Sequence, residues 1–190
     1  MGDALKLDIA GLVDKKKLPN KLISNLPYNI SSTLLIRYLE KLDFLKDYTI
    51  MVQKEVADRM VANPGSKDYG AFTVKLNFLA VIVRKFNISK NVFIPVPNVE
   101  SSLISIERRN DIDPAFNEKL FRLIEASFCQ RRKKLINSVS ETMGLKKDVL
   151  FDALSRCGID NDIRAEMVSP NDYKRLFLAL ENNYHPSSTY

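Results

Sequence analysis

The order of strand-like and helix-like segments is the feature that most constrains what this chain can fold into. Up to about residue 110, short β-rich runs alternate with stretches whose apolar residues recur at helical spacing. This alternation predicts a sheet of parallel strands with helices packed on its faces. The last two β-rich runs, "VIVRKFNIS" and "SSLISIERR", are joined by a proline-marked loop without a helix, so one of them is expected to run antiparallel.

After about residue 110 the sequence contains no strand pattern. We therefore predict an α/β domain over residues 1–110 and an all-helical domain over residues 111–190. The pair Asp113-Pro114 is typical of a helix start, because Asp caps a helix and Pro suits its first position. Gly144 is predicted to mark a later helix end.

Two local predictions concern the first part of the chain. The stretch "ALKLDIAGLV", residues 4–13, has the pattern of a strand already under way. Ser31 or Ser32 is expected to cap the helix formed by "SSTLLIRYLEKLDF".

Composition excludes several classes of protein. The chain has 190 residues, of which 45% are apolar and 27% charged, so it can build a core and is not wholly disordered. A single His185 and two separated cysteines, Cys129 and Cys157, provide neither a zinc cluster nor a disulfide framework, which fits a reduced, cytoplasmic protein. No apolar run reaches the ~20 residues of a membrane span, and the N-terminal residues lack the pattern of a secretory signal.

Basic residues are clustered along the chain, whose net charge is +6. The clusters are "KKK" at 15–17, "RR" at 108–109, "RRKK" at 131–134 and "KK" at 146–147. Together they favour a polyanionic partner such as nucleic acid. The alternative for any one cluster is a solvated charged surface.

The segment "SNLPYNISS", residues 24–32, places Asn-Leu-Pro-Tyr directly after an apolar run and before a helix-like stretch. Pro27 ends the strand, because proline has no N–H and its ring fixes φ. Asn25 and Tyr28 then stand at a strand end, where side chains can border a crevice. The alternative is an ordinary strand-to-helix turn.

"NLPY" resembles the Asn/Asp-X-Pro-Tyr/Phe motif of S-adenosylmethionine-dependent methyltransferases that act on the exocyclic amine of adenine. Further segments, in order along nearly the whole chain, resemble the ribosomal RNA adenine-N6 dimethyltransferase family. Their likeness is greatest to its housekeeping branch, which acts on small-subunit rRNA during ribosome maturation. The segments are "MVQKEVADRM" (51–60), "DYGAFTVKLNF" (68–78), "VFIPVPNVESSLISIERR" (92–109), "SFCQRRKKLINSV" (127–139) and "IRAEMVSPNDYKRL" (163–176).

The resemblance implies a fold and an activity. The fold is the C-terminal portion of a Rossmann-like class I methyltransferase sheet, with the first strands missing, followed by a small all-α domain. The activity is dimethylation of adjacent adenosines at N6, with S-adenosylmethionine as cofactor and small-subunit rRNA or the immature small ribosomal subunit as partner. The family's Gly-rich loop and the acidic residue after it are not found in this sequence. We therefore expect a truncated form with an incomplete cofactor site and no activity alone.

The resemblance also assigns roles to individual residues. The catalytic residues it implies are Asn25, Leu26, Pro27, Tyr28 and Phe93. The cofactor-binding residues it implies are Asp3, Ala4, Asn25 and Pro27. The RNA-binding residues follow from the basic clusters and are Arg108, Arg109, Arg131, Arg132, Lys133 and Lys134. No metal is expected.

The chemistry of adenine N6 indicates why such a motif suits it. The amine is a poor nucleophile, because its lone pair is delocalised into the ring. The side-chain oxygen of Asn25 and the backbone carbonyl of Leu26 are candidate acceptors for its two hydrogens. Tyr28 offers a flat face for the base, and by resemblance Phe93 closes the other side. Positioning and electrostatics then carry the reaction, without a titrating base.

Two other functions remain open from the sequence. One is a non-catalytic module that binds rRNA or assists ribosome assembly. The other is a DNA adenine methyltransferase, against which the helical second half argues by resemblance. An exposed sheet edge is also expected to invite pairing with a second copy of the chain.

Overall fold

The computed structural model describes residues 9–14 and 16–183. Within this range the chain forms four strands and eight α-helices. The strands are β1 (Lys21–Asn25), β2 (Asp47–Gln53), β3 (Ala80–Ile88) and β4 (Ser101–Arg108). The helices are α1 (Ile9–Leu12), α2 (Ser31–Lys41), α3 (Lys54–Met60), α4 (Ala71–Leu79), α5 (Pro114–Phe128), α6 (Leu135–Met143), α7 (Lys147–Arg156) and α8 (Pro170–Asn183). None of the described helices has the length and apolarity that crossing a membrane requires.

The described residues divide into two compact units. The first contains the residues through Val61 together with Leu76–Ile112, and the second contains Ala62–Lys75 together with the residues from Asp113 onward. The predicted boundary at residue 110 assigns the segment Ala62–Lys75 to the first domain instead. The domain boundaries of 1–110 and 111–190 stay a prediction.

The sheet of the first unit is mixed. Its strands lie in the order β1-β2-β4-β3, with β1 parallel to β2 and β4 antiparallel to both of its neighbours. The predicted α/β class is thus confirmed, and so is the antiparallel arrangement of the last two strands. β1 lies at one edge of the described sheet, where Ile23 is 77% exposed. Its pairing with a second copy stays a prediction.

One face of this sheet carries the apolar core of the first unit. β2 alternates buried and half-buried residues, as expected for a strand with one face against the core, and Tyr48, Ile50 and Val52 are its buried set. The register places Ile50 beside Ile104 of β4, which is also buried. α2 packs on this same face, because the Tyr48 hydroxyl donates to the Tyr38 carbonyl of α2 at 3.3 Å.

The second unit is helical in its described part, as predicted. α5 starts where the sequence indicates: the Asp113 carboxylate accepts hydrogen bonds from the N–H groups of Ala115 and Phe116, at 3.0 and 3.1 Å. α6 ends at Gly144, whose φ of +70° is the left-handed conformation that glycine adopts most easily. Both helix ends were readable from single residues.

The segment Ala62–Lys75 belongs to the second unit through contacts that the sequence did not reveal. The N–H of Gly65 donates to the Glu166 carbonyl at 2.8 Å. The buried hydroxyl of Tyr69 donates to the Val168 carbonyl at 2.7 Å. Lys75 forms an ion pair with Glu125 of α5. These partners lie 50 to 101 residues away, beyond the reach of any local pattern.

Replacing Tyr69 by phenylalanine is expected to lower the free energy of unfolding by about 1–2 kcal/mol, because the buried Val168 carbonyl loses its partner. Urea unfolding measures the change. Tyr48→Phe is the matched control, with a smaller expected loss, because its bond to the Tyr38 carbonyl is longer at 3.3 Å. Equal losses in the two variants would contradict this account.

Two local predictions were wrong. Neither Ser31 nor Ser32 caps α2: its N-cap is Ile30, and the Ser31 hydroxyl instead donates to the Tyr28 carbonyl at 3.3 Å. Of the stretch predicted as a strand over residues 4–13, Ile9–Leu12 form a helical turn and residues 4–8 lie outside the described part. Ser31 lies close to the Tyr28 carbonyl because the bond from the Ile30 N–H to the Pro27 carbonyl, at 3.2 Å, closes the turn directly before α2.

Candidate functional site

The Asn-Leu-Pro-Tyr segment forms a tight turn between β1 and α2. The Leu26 N–H donates to the Met51 carbonyl at 3.1 Å and is the last contact of the turn with the neighbouring strand. Pro27 follows and has no N–H to continue the ladder. Its carbonyl accepts from the Ile30 N–H at 3.2 Å, which closes the turn one residue before α2 begins.

Two acceptors in this turn have no partner among the described residues. The side-chain amide of Asn25 is exposed and makes no hydrogen bond there. The Leu26 carbonyl accepts none either, although Leu26 is only 2% exposed. A shielded carbonyl without a donor is uncommon in folded proteins. The turn therefore holds two adjacent acceptors that no described residue uses.

Tyr28 is held in place by a residue that the sequence analysis missed. The hydroxyls of Tyr28 and Ser101 are hydrogen-bonded at 3.1 Å. Ser101 is the first residue of β4 and is fully buried. The only signal in the sequence was the polar pair Ser101-Ser102 at the start of an otherwise apolar strand.

The loop that carries Phe93 and the Asn-Leu-Pro-Tyr turn lie at the same end of the sheet, where β1 and β2 finish. This loop, residues 89–100, joins β3 to β4, and β4 begins beside the end of β2, where Ser101 pairs with Gln53. Its last carbonyl, of Glu100, accepts from the Lys54 N–H at 2.9 Å. Phe93 is half-buried. Because β4 runs antiparallel to β2, the Phe93 loop and Tyr28 both lie at the end of the sheet where β1 and β2 finish.

An ion-pair cluster fixes α3 against this part of the sheet. Asp58 of α3 accepts from Lys54 Nζ at 2.9 Å and also pairs with Lys85 of β3. The hydrogen bonds from Lys85 and Lys54 hold the pKa of the Asp58 carboxyl below its ordinary value of 3.8. The charged form is therefore favoured by folding.

Asp58→Asn is expected to flatten the acid dependence of stability. A lowered folded-state pKa means that Asp58 stabilises the fold above about pH 3.8, and that this contribution disappears as the pH falls through the lower folded value. Denaturant unfolding between pH 6 and about pH 2 measures it. Asp43→Asn, at an exposed aspartate, is the control and should keep the wild-type slope. An unchanged slope in Asp58→Asn would refute the assignment.

The basic segment "QRRKK", residues 130–134, follows α5, and its first four residues line an open cavity of about 560 Å³. Both lysines of this segment form ion pairs with carboxylates. Lys133 Nζ lies 2.8 and 2.9 Å from the two carboxylate oxygens of Glu141, and Lys134 Nζ lies 2.6 Å from Asp162 Oδ1. The bond from Lys133 contributes most to a lowered pKa of the Glu141 carboxyl.

Arg131 and Arg132 differ from these lysines. Both are exposed, and neither makes an ion pair or a hydrogen bond within the described part of the chain. Their guanidinium groups therefore keep all their donors for an anion, and Arg presents them in a planar fork that matches phosphate.

Arg108 and Arg109 occupy a different environment. Arg108 Nε donates to the Leu39 carbonyl near the end of α2, and Arg109 Nε donates to the Asn77 carbonyl near the end of α4, each at 2.8 Å. A guanidinium at a helix C-terminus satisfies free carbonyls and complements the helix dipole. Both arginines thus have a structural use, and RNA contact by them stays a prediction.

Two predicted cofactor residues, Asp3 and Ala4, lie outside the described residues. Asn25 and Pro27, the other two, are exposed at the carboxyl end of β1, which is where ligands bind in open α/β sheets. Within residues 9–14 and 16–183, no group of three or more His, Cys, Asp or Glu could hold a metal ion.

Comparison with solved structures relates the fold to a dimethyladenosine transferase and to an rRNA methyltransferase. A dimethyladenosine transferase from Plasmodium falciparum matches with a TM-score of 0.75 and 22% identity, over 88% of this chain and 70% of that one. The 23S rRNA methyltransferase ErmE matches with a TM-score of 0.60 and 22% identity, over 85% of this chain and 65% of that one. The predicted class I methyltransferase-like fold is thereby confirmed.

Comparison of sequences extends the likeness. Proteins named ribosomal RNA small subunit methyltransferase A are similar over most of the chain: that of Desulfitobacterium hafniense is 39% identical over 95% of it, and that of Rubrobacter xylanophilus 41% identical over 92%. The chain spans 65% and 64% of their lengths, less than two thirds of each. A sequence model of the ribosomal RNA adenine dimethylase family matches residues 1–182. The family suggested by the motifs is thus confirmed, and the chain belongs to the ribosomal RNA adenine dimethylases.

Proposed function

We propose that this chain supplies the adenine-binding part of an S-adenosylmethionine-dependent methyltransferase that dimethylates adenosine N6 in small-subunit rRNA. The observation that carries the proposal is the pair of adjacent acceptors without partners, the Asn25 amide and the Leu26 carbonyl, at the carboxyl end of β1. An exocyclic amine has two hydrogens to donate, and these acceptors match them in number and kind.

The two acceptors would activate the amine as well as hold it. Hydrogen bonds to both N6 hydrogens draw the nitrogen toward tetrahedral geometry and free its lone pair for attack. The acceptors are fixed before the substrate arrives, because Leu26 is anchored to Met51 and Pro27 limits the turn. Such preorganisation is the main source of catalysis when no proton has to be removed first.

Aromatic side chains would receive the base after it leaves the RNA stack. An enzyme that modifies a base edge must extract the base into a pocket. Tyr28 cannot swing freely, since its hydroxyl is tied to Ser101 at 3.1 Å. Phe93 lies in the loop that meets the same sheet edge. Stacking on such a ring is worth about 1–3 kcal/mol per base.

S-adenosylmethionine, when bound, supplies an electrophilic methyl group. Asn25 and Pro27 are the described residues that would border it, and their exposure at the strand end is compatible with that role. Asn25 would then contact both the cofactor and the amine, which places the two reactants side by side. The name ribosomal RNA small subunit methyltransferase A, carried by the relatives, supports small-subunit rRNA as the substrate.

Two measurements test this function on the 190-residue chain joined to the part of the Desulfitobacterium hafniense relative that it does not cover, because the chain alone is expected to lack a complete cofactor site. Calorimetric titration with S-adenosylmethionine measures cofactor binding. Incubation with labelled S-adenosylmethionine and small-subunit rRNA, followed by nucleoside analysis, measures transfer, and N6-dimethyladenosine is the expected product. Binding of rRNA without binding of the cofactor and without any methylated nucleoside would contradict the proposal and indicate a non-catalytic rRNA-binding module instead.

A further inference from the structure

The loop of residues 89–100 exposes apolar side chains in a way that the proposed function does not use. Ile94 is 99% exposed, and Val92 and Val96 on either side are 68% and 56% exposed. A single exposed aliphatic residue is ordinary on a protein surface. Three at alternate positions in one short loop, with one of them in full contact with water, are more than isolated exposed residues, and grouped apolar exposure of this kind is typical of binding surfaces.

This loop is braced at both of its ends. At its start, the N–H groups of Val92 and Phe93 donate to the carbonyls of Ser89 and Lys90, each at 3.3 Å. At its finish, the Glu100 carbonyl accepts from the Lys54 N–H at 2.9 Å. Pro95 and Pro97 restrict φ within the exposed part. The backbone on both sides of Ile94 is therefore restricted, and the Ile94 side chain is exposed on it.

The position of Ile94 relates it to the base-binding residues. It directly follows Phe93, and the loop returns to β4 at Ser101, whose hydroxyl is bonded to Tyr28. A base that reaches the Tyr28 and Phe93 rings leaves a gap in the RNA stack. Apolar side chains that insert between bases are a known means of holding a nucleic acid open.

We propose that Ile94 inserts into the RNA stack and fills the space vacated by the target adenine. This role rests on the proposed function, because it requires a base to leave the stack. RNA is favoured over a protein as the occupant for two reasons. The net charge of +6 favours a polyanion. One projecting residue with two valines also offers far less than the ~800 Å² per partner of a stable protein interface.

The test uses a small-subunit rRNA hairpin with two adjacent adenines, one of them replaced by the fluorescent base 2-aminopurine. Wild-type protein is expected to raise its fluorescence, because the probe leaves the stack. Ile94→Ser should reduce that rise by at least about fivefold while changing RNA affinity by no more than about threefold. Ile94→Leu should restore the rise. Val83→Ser, at an exposed valine of β3, is the control and should behave as wild type.

The outcomes separate this inference from the proposed function. If Tyr28→Ala abolishes the fluorescence rise and Ile94→Ser does not, the insertion is refuted and the base pocket stands. If wild-type protein binds the hairpin without any rise, or fails to bind it, both are refuted. If Ile94→Ser changes the sedimentation mass but leaves the rise intact, the loop contacts a second copy of the chain and the insertion is refuted. Circular dichroism confirms that each variant is folded.

Discussion

Asn25→Ala is expected to lower the rate of methyl transfer to adenine by about 10²–10³-fold, or roughly 3–4 kcal/mol of transition-state stabilisation. The substitution removes one of the two acceptors for the N6 hydrogens and leaves the Leu26 carbonyl to act alone. The lone pair of the amine then stays delocalised in the ring. The initial rate of labelled methyl incorporation into small-subunit rRNA, at saturating cofactor and in the chain joined to the missing part of the Desulfitobacterium hafniense relative, measures the loss.

The fold should tolerate this change, which makes the result interpretable. The Asn25 side chain is exposed and makes no hydrogen bond within the described part of the chain, so its removal leaves no buried group unpaired. Asn20→Ala is the matched control, since Asn20 is an exposed asparagine just before the opposite end of β1. Transfer at the wild-type rate in Asn25→Ala would remove this residue from the mechanism.

Reversing the charges of Arg131 and Arg132 together, as Arg131→Glu with Arg132→Glu, is expected to weaken RNA binding by about 10–100-fold near 0.15 M salt. Both guanidinium groups are exposed and unpaired within the described residues, and they line a cavity of about 560 Å³. Losing two phosphate contacts should also reduce the slope of log affinity against log salt by about 1.5. Binding isotherms over a series of salt concentrations give both quantities.

The matched control makes the same change in net charge at two arginines outside this turn. Arg122 and Arg156 are exposed arginines on α5 and α7, each already paired with a carboxylate four residues before it. Arg122→Glu with Arg156→Glu alters the net charge equally and should change RNA affinity far less. Equal effects of the two double variants would show that only the total charge matters and that the turn is a solvated surface.

The two lysines of the same turn provide a finer comparison. Lys133 and Lys134 already form ion pairs with Glu141 and Asp162. Their replacement by alanine should therefore affect RNA affinity less than the loss of the two arginines. All four residues belong to one basic run in the sequence, and the ion pairs with Glu141 and Asp162 separate the two lysines from the two arginines.

Local patterns account for much of the fold. A cap such as Asp113 and a left-handed glycine such as Gly144 act within one helical turn, so their effect was readable from neighbouring letters. Ser31 departs from its local pattern, because a serine near a helix start has two competing partners. Its hydroxyl bonds the Tyr28 carbonyl of the preceding turn, a choice that depends on how Pro27 places that carbonyl.

The sequence by itself determined the family, the α/β order of elements and the Asn-Leu-Pro-Tyr turn, because each rests on residues close together in the chain. The tertiary structure alone decided which groups remain available for a ligand. The bond between Tyr28 and Ser101 spans 73 residues, and that between Lys134 and Asp162 spans 28. Hydrogen bonds and ion pairs at such separations form only after the strands have paired and the helices have packed, so no local pattern contains them.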